Sequence, residues 1–282
     1  MTASTATALF QSGDLDGAVA ALTAAVKGSP TDVQARARLA EMLCFQNELE
    51  RADKMMEVVG RQDTEHTVGI ALFRRVLRGA IVREQVFREG RAPEFVGQPS
   101  ACLQAHLRAL AALRAGDTAG VRDMLAAAEA ARPVVAGTRD GAPFDDLRDL
   151  DDLTAGVLEV IASSGSYYWI GFDSVISLEF HTPERPRDLI WRRASLTVAE
   201  GPEGEVFIPA LYVPPPGAAP RADHLLGRVT EWLGDDDGPV FGLGQRCWLV
   251  GEQDHPIMDL GALELPANAP AATEDPAGEP GA

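Results

Sequence analysis

The apolar positions of this chain fall into two regimes. Up to about residue 163 they follow helical spacing, and beyond it they tend toward a period of two. The run from Leu9 to Ala18 returns 34 residues later as Leu43 to Ala52. Leu9/Leu43, Gly13/Asn47, Leu15/Leu49 and Ala18/Ala52 align without a gap. Gly and Asn best tolerate the left-handed turn between paired helices, and Ala admits a close neighbour, so the pattern predicts stacked helical hairpins. A third copy lies 103 residues after the first, with Gly116, Leu125, Ala128 and Pro133 matching Gly13, Leu22, Ala25 and Pro30. Between the copies, Val68, Leu72, Val76, Ala80 and Phe87, with Phe73, Leu77 and Val86 beside them, predict a long helix with a broad apolar stripe.

Leu147, Leu150, Leu153, Val157 and Ile161 keep the 3–4 spacing, predicting one last helix with its aspartates on the opposite face. After Gly165 the segments 166–170, 189–198 and 206–213 read as strands rich in aromatic and branched residues. A turn at 200–204 joins the last two as a hairpin, and Pro209 marks an edge or bulge. A short helix is expected over 224–233, and short strands at 240–241 and 246–250. The fold class is therefore α+β, a helical repeat array followed by a small α+β domain on a bent antiparallel sheet. The expected division is 1–163, 164–265 and a disordered tail at 266–282, where no large apolar side chain occurs.

Composition sharpens this division. The 282 residues carry a net charge of −17, and residues 1–139 hold 16 Asp/Glu against 17 Lys/Arg, while residues 140–282 hold 26 against 8. So acidic a second half repels phosphates and anionic lipid, which argues against nucleic acid and membrane as partners. The arginines at 74, 75, 78, 83, 88 and 91 are interrupted by Glu84 and Glu89 and read as a solvated helix face. No apolar run reaches the roughly 20 residues of a membrane-spanning helix, and no signal peptide is evident, so a cytosolic chain is expected.

A search for chemistry finds little. Cys44, Cys102 and Cys247 are scattered, without a disulfide or zinc spacing. Lysine occurs only at 27 and 54, and no phosphate-binding loop is present. The five histidines lie far apart. Five aspartates between Asp145 and Asp152 lack the calcium-loop spacing and read as an acidic helix start. The enzymatic alternative is a hydrolase or metal site built from Asp173, His181 and Asp188, supported by no spacing rule. No cofactor is implied.

The 34-residue units resemble the tetratricopeptide repeat, well in the second helix of each unit and loosely in the first. Such arrays bind partners on a concave face. In the second half, Asp151–Leu153, Leu158–Val160, Tyr167–Ile170, Asp188–Trp191, Phe207–Tyr212 and Gly227–Trp232, in that order, resemble the ImpE/SciE (TagJ) family, with Glu231 where members usually carry Asp. The resemblance implies a cytosolic, non-enzymatic accessory protein of type VI secretion. It also implies binding to the small subunit of the contractile sheath, through that subunit's N-terminal helix, and an indirect link to the AAA+ ATPase that turns the sheath over. A generic repeat scaffold with another partner is the alternative.

A groove between repeat helices suits such a helix, and the acidic half would complement a basic flank. Groove candidates are Gln34, Glu41, Cys44, Leu72, Phe73 and Val76. A second candidate patch is Trp169, Asp173, Asp188, Trp191, Tyr212 and Trp232, with Asp188 equally readable as a turn residue and the tryptophans as core.

Overall fold

Three of the positive-φ residues in the helical half join paired helices. In the computed structural model, which describes residues 3–199, 201, 203–235 and 238–265, Gly13 (92°), Asn47 (58°) and Gly116 (72°) each end one helix and start another. They join α1 (Ala3–Ser12) to α2 (Leu15–Gly28), α3 (Val33–Phe45) to α4 (Leu49–Gln62), and α6 (Ala101–Ala115) to α7 (Thr118–Ala131). The next amide reaches back to the same carbonyl each time: Asp14 to Leu9 at 2.9 Å, Glu48 to Leu43 at 2.9 Å, and Asp117 to Ala112 at 3.0 Å. This left-handed closure satisfies the carbonyls orphaned at a helix end. Asp14 and Asp117 then cap the following helix by accepting from the amides of Gly17 and Gly120. Ala18 and Ala52 are wholly buried, as close helix approach requires. The expected repeat is therefore present in all three copies.

The long helix α5 (Thr67–Glu89) is present, but its buried face is rotated from the expected stripe. Ile70, Phe73, Val76, Leu77, Ala80, Val86 and Phe87 are buried, whereas Val68 is 84% exposed. Gly79 lets this helix lie directly on the sheet, because a Cβ there would collide with Ile161 and reach 3.0 Å from the Gly165 carbonyl.

The helical array ends at Ala131. The helix expected over 145–163 is replaced by β3 (Leu147–Asp149), a tight turn and β4 (Val157–Ala162). The leucine spacing there is coincidental. Gly156 breaks the run, and Val157–Ala162 is covered on both faces, so no alternation marks it as a strand. Nor do the aspartates form a solvated helix start: Asp149 and Asp151 are buried, and Asp146 pairs with Arg132 at 2.7 Å.

The other strands are β1 (Gly137–Arg139), β2 (Ala142–Phe144), β5 (Tyr167–Gly171), β6 (Val175–Phe180), β7 (Trp191–Val198) and β8 (Glu203–Pro209). After the short α8 (Ala222–Leu225) come β9 (Thr230–Leu233), β10 (Phe241–Gly244), β11 (Cys247–Val250), β12 (Gln253–Pro256) and β13 (Ala262–Glu264). Thus only the start of the helix expected over 224–233 forms. Eight strands make one antiparallel sheet in the order β2-β1-β13-β6-β7-β8-β4-β5. Strand β8 is internal, and Pro209 sits at its end opposite Trp191, beyond the pairing with β4, rather than at an edge. A three-stranded sheet, β12-β11-β3, and the ribbon β9-β10 complete the fold.

One face of the large sheet shares a core with the helices through Val157, Ile161, Trp169, Trp191 and Phe207. The other face closes a second core around Leu158, Val160, Ile170 and Trp248. Three of the four tryptophans are buried, and Trp232 is 41% exposed. The tail expected at 266–282 lies outside the described residues.

Candidate partner-binding groove

A cleft of about 520 Å³ opens where α3, the end of α4 and the start of α5 meet the segment before β7. Its apolar surfaces come from Val33 and Ala37 on α3, Met56 and Val59 on α4, and Val68, Ile70 and Phe73 on α5. The opposite wall follows from local sequence. Pro186 opens a single tight turn (Pro186–Leu189), and the Asp188 carboxylate accepts from the amides of Glu184 (2.9 Å) and Arg185 (3.0 Å). Asp188 is thus the residue that makes this turn. The turn aims Arg187 inward, where its guanidinium stacks 4.3 Å from the Phe73 ring and bonds Glu41 at 3.1 Å. Burial raises the Glu41 carboxyl above its ordinary value and lowers Arg187, so neither partner is comfortable in its ionised form.

A smaller cavity of about 170 Å³, lined by Leu72, Val76, Trp191 and Phe207, shares Phe73, Arg185 and Arg187 with the cleft. Of the first candidate set, Gln34, Glu41 and Phe73 therefore line the cleft, and Leu72, Phe73 and Val76 line its neighbour. Cys44 is buried, bonds the Ala40 carbonyl at 3.0 Å, and faces a different cavity.

The second set is dispersed. Trp169 is wholly buried, with its indole N–H donating to Tyr167 Oη at 2.7 Å. Trp191 packs in the core against Phe73, Asp173 is half-buried beyond β5, and Trp232 lies on the exposed ribbon against Tyr212. The buried Tyr212 donates to Asp149 at 2.7 Å. His181 meets Ser195 at 2.9 Å, and among the described residues no group of three or more His, Cys, Asp and Glu is placed to hold a metal ion.

Sequence reading misses Arg38, Arg185 and Arg187 of the cleft, which lie in no periodic pattern. It also misses the charge cluster under the helices. Arg83 of α5 forks onto Glu159 of β4 at 2.6 and 3.0 Å. Arg246 bridges Glu159 and Asp149, and Tyr167 donates to Glu159. Burial opposes ionisation of Glu159, yet Arg83 and Arg246 outweigh it and hold the carboxyl at about 2. Asp151, without a cation of its own, is pushed up to about 7 by burial and by Asp149. Although Arg246 Nε finds no partner among the described residues, the paired charges of this cluster fasten the helical array to the sheet.

A helical-repeat scaffold fused to an antiparallel-sheet module is the class that fold and cleft define. Residues 9–69 match the model of the tetratricopeptide repeat, and residues 141–264 match that of the ImpE protein. The type VI secretion system accessory component TagJ of Pseudomonas aeruginosa is 31% identical over 262 residues, spanning 91% of this chain and 89% of that one. The crystal structure of protein VPA1032 from Vibrio parahaemolyticus superposes with a TM-score of 0.86 at 27% identity, covering 93% of this chain and 97% of that chain. The chain belongs to the ImpE family, which includes TagJ. No helix among the described residues is long and apolar enough to cross a membrane.

Proposed function

We propose that this protein is a non-enzymatic adaptor of a type VI secretion apparatus. Its cleft receives the amphipathic N-terminal helix of the small sheath subunit, linking the protein to sheath assembly or turnover and, indirectly, to the AAA+ ATPase that dismantles the sheath. The observation that carries this reading is the open cleft on the repeat helices, with Val68 84% exposed at its rim, in a chain so similar to an accessory component of that system. An apolar helix face entering such a channel at 3–4 spacing would bury Val68, Val33 and Ala37.

The test is calorimetric titration of the full-length protein with a peptide covering that helix from the cognate sheath subunit. Saturable binding is expected, weakened at least about tenfold by Val68→Asp, since a charge at an apolar contact is left unpaired. Absence of binding by the folded protein would overturn the assignment of the partner.

A further inference from the structure

On a protein of net charge −17, the cleft gathers three arginines among the carboxylates of Glu41, Asp63 and Glu65. Arg38, Arg185 and Arg187 surround Glu41, and the Asp188 carboxylate lies within electrostatic reach of it as well. Arg38 and Arg185 are exposed and form no ion pair among the described residues. Of the five N–H donors of Arg187, only one at Nη1 has a partner among the described residues, Glu41. Its plane is already fixed by the Phe73 ring, so the outer edge of the fork is pre-oriented for a second carboxylate. The acidic groups nearby are largely engaged. Asp63 accepts from the His66 amide and ring, and Asp188 is held by its turn, which leaves Glu65 and Glu184 at the rim.

Resting on the reading above, we propose that the helix bound in this cleft carries an Asp or Glu beside its apolar stripe, and that this side chain docks among Arg38, Arg185 and Arg187. Glu41 is its internal counterpart: it neutralises Arg187 in the free protein and competes with the incoming carboxylate. The partner's contact is thus acidic and apolar, opposite in sign to the basic flank that the acidic second half alone would favour. The surface arginines speed encounter, and the outer edge of the Arg187 fork sets orientation.

The experiment is a salt series of titrations with the sheath-subunit helix peptide, using the full-length wild type, Arg38→Glu/Arg185→Glu and Glu41→Gln. Both reversed arginines are exposed, and thermal melts verify that each variant folds. Wild-type affinity is expected to fall with rising salt. The double reversal should weaken binding about tenfold or more, and Glu41→Gln should strengthen it several-fold. Replacing the peptide's acidic residue by its amide should weaken binding to wild type but not to the double reversal. Tighter binding to the double reversal, or no change in either arm, overturns this inference while leaving the cleft assignment intact. No binding to wild type overturns both. Sedimentation showing that the same variants abolish self-association would make a second copy of the chain the occupant and overturn the acidic-helix inference.

Discussion

The helical array and its junction with the sheet hold together by different means. Within the array, hairpins repeat one local solution: a left-handed residue, a carbonyl closed by the amide that follows, a small alanine at the crossing in the first two and Val121 in the third, and an apolar seam. At the junction a unique ionic cluster is buried, and it links residues 76 to 97 positions apart. A buried ion pair adds little net stability over a hydrophobic replacement, but breaking one strands a charge. The array should therefore tolerate change in small increments, whereas the junction should fail abruptly.

The largest effect is expected at that junction. Glu159→Ala leaves Arg83 and Arg246 buried without their shared carboxylate and should cost about 3–5 kcal/mol in denaturant unfolding. Loss of both halves in one transition would show that the cluster couples them; independent melting would contradict it.

Titration gives the next contrast. Asp151 ionises near 3.8 when unfolded but at about 7 when folded, so its contribution is complete below pH 3.8 and is lost as pH rises toward 7. Burial lowers His106 from 6.5 to about 4, so its contribution is present above pH 6.5 and is lost as pH falls toward 4. Between pH 4.5 and 6.5 these slopes oppose each other. Asp151→Asn should expose the histidine slope, making stability rise with pH across that window by on the order of 2–3 kcal/mol. A stability profile with the same slope in both proteins would contradict the assignment.

Gly79→Ala should cost about 1–3 kcal/mol, because the added methyl must displace Ile161 at the helix–sheet contact. In the array, Gly116→Ala should cost about 1 kcal/mol for its left-handed backbone, and Asn47→Gly should change stability by less than about 0.5 kcal/mol. A larger cost at Gly116 than at Gly79 would contradict the distinction between junction and hairpin. Thermal or urea melts of these three variants suffice.

The same contrast explains what was legible in the sequence. Gly13, Asn47 and Gly116 announce themselves because a repeated local geometry leaves a repeated residue pattern. Val157–Ala162 does not, because a strand covered on both faces loses its alternation, and the leucines before it mimic a helix. The phase of α5 is misleading at Val68, because an exposed position can be as apolar as a core one. Phe73 and Glu41 of the cleft were identifiable from the repeat helices. Arg187 was not, since its role arises from a turn 146 residues away from Glu41 in the chain. Trp169 and Trp191 show the converse: aromatic residues that resemble a binding patch in one dimension are core in three.

The most direct test of the central claim is hydrogen–deuterium exchange of the full-length protein with and without the cognate small sheath subunit. The account predicts new protection confined to α3, the end of α4, the first turns of α5 and residues 182–189, which together form the cleft. Protection on the β9-β10 ribbon around Trp232, with the cleft unchanged, would contradict it.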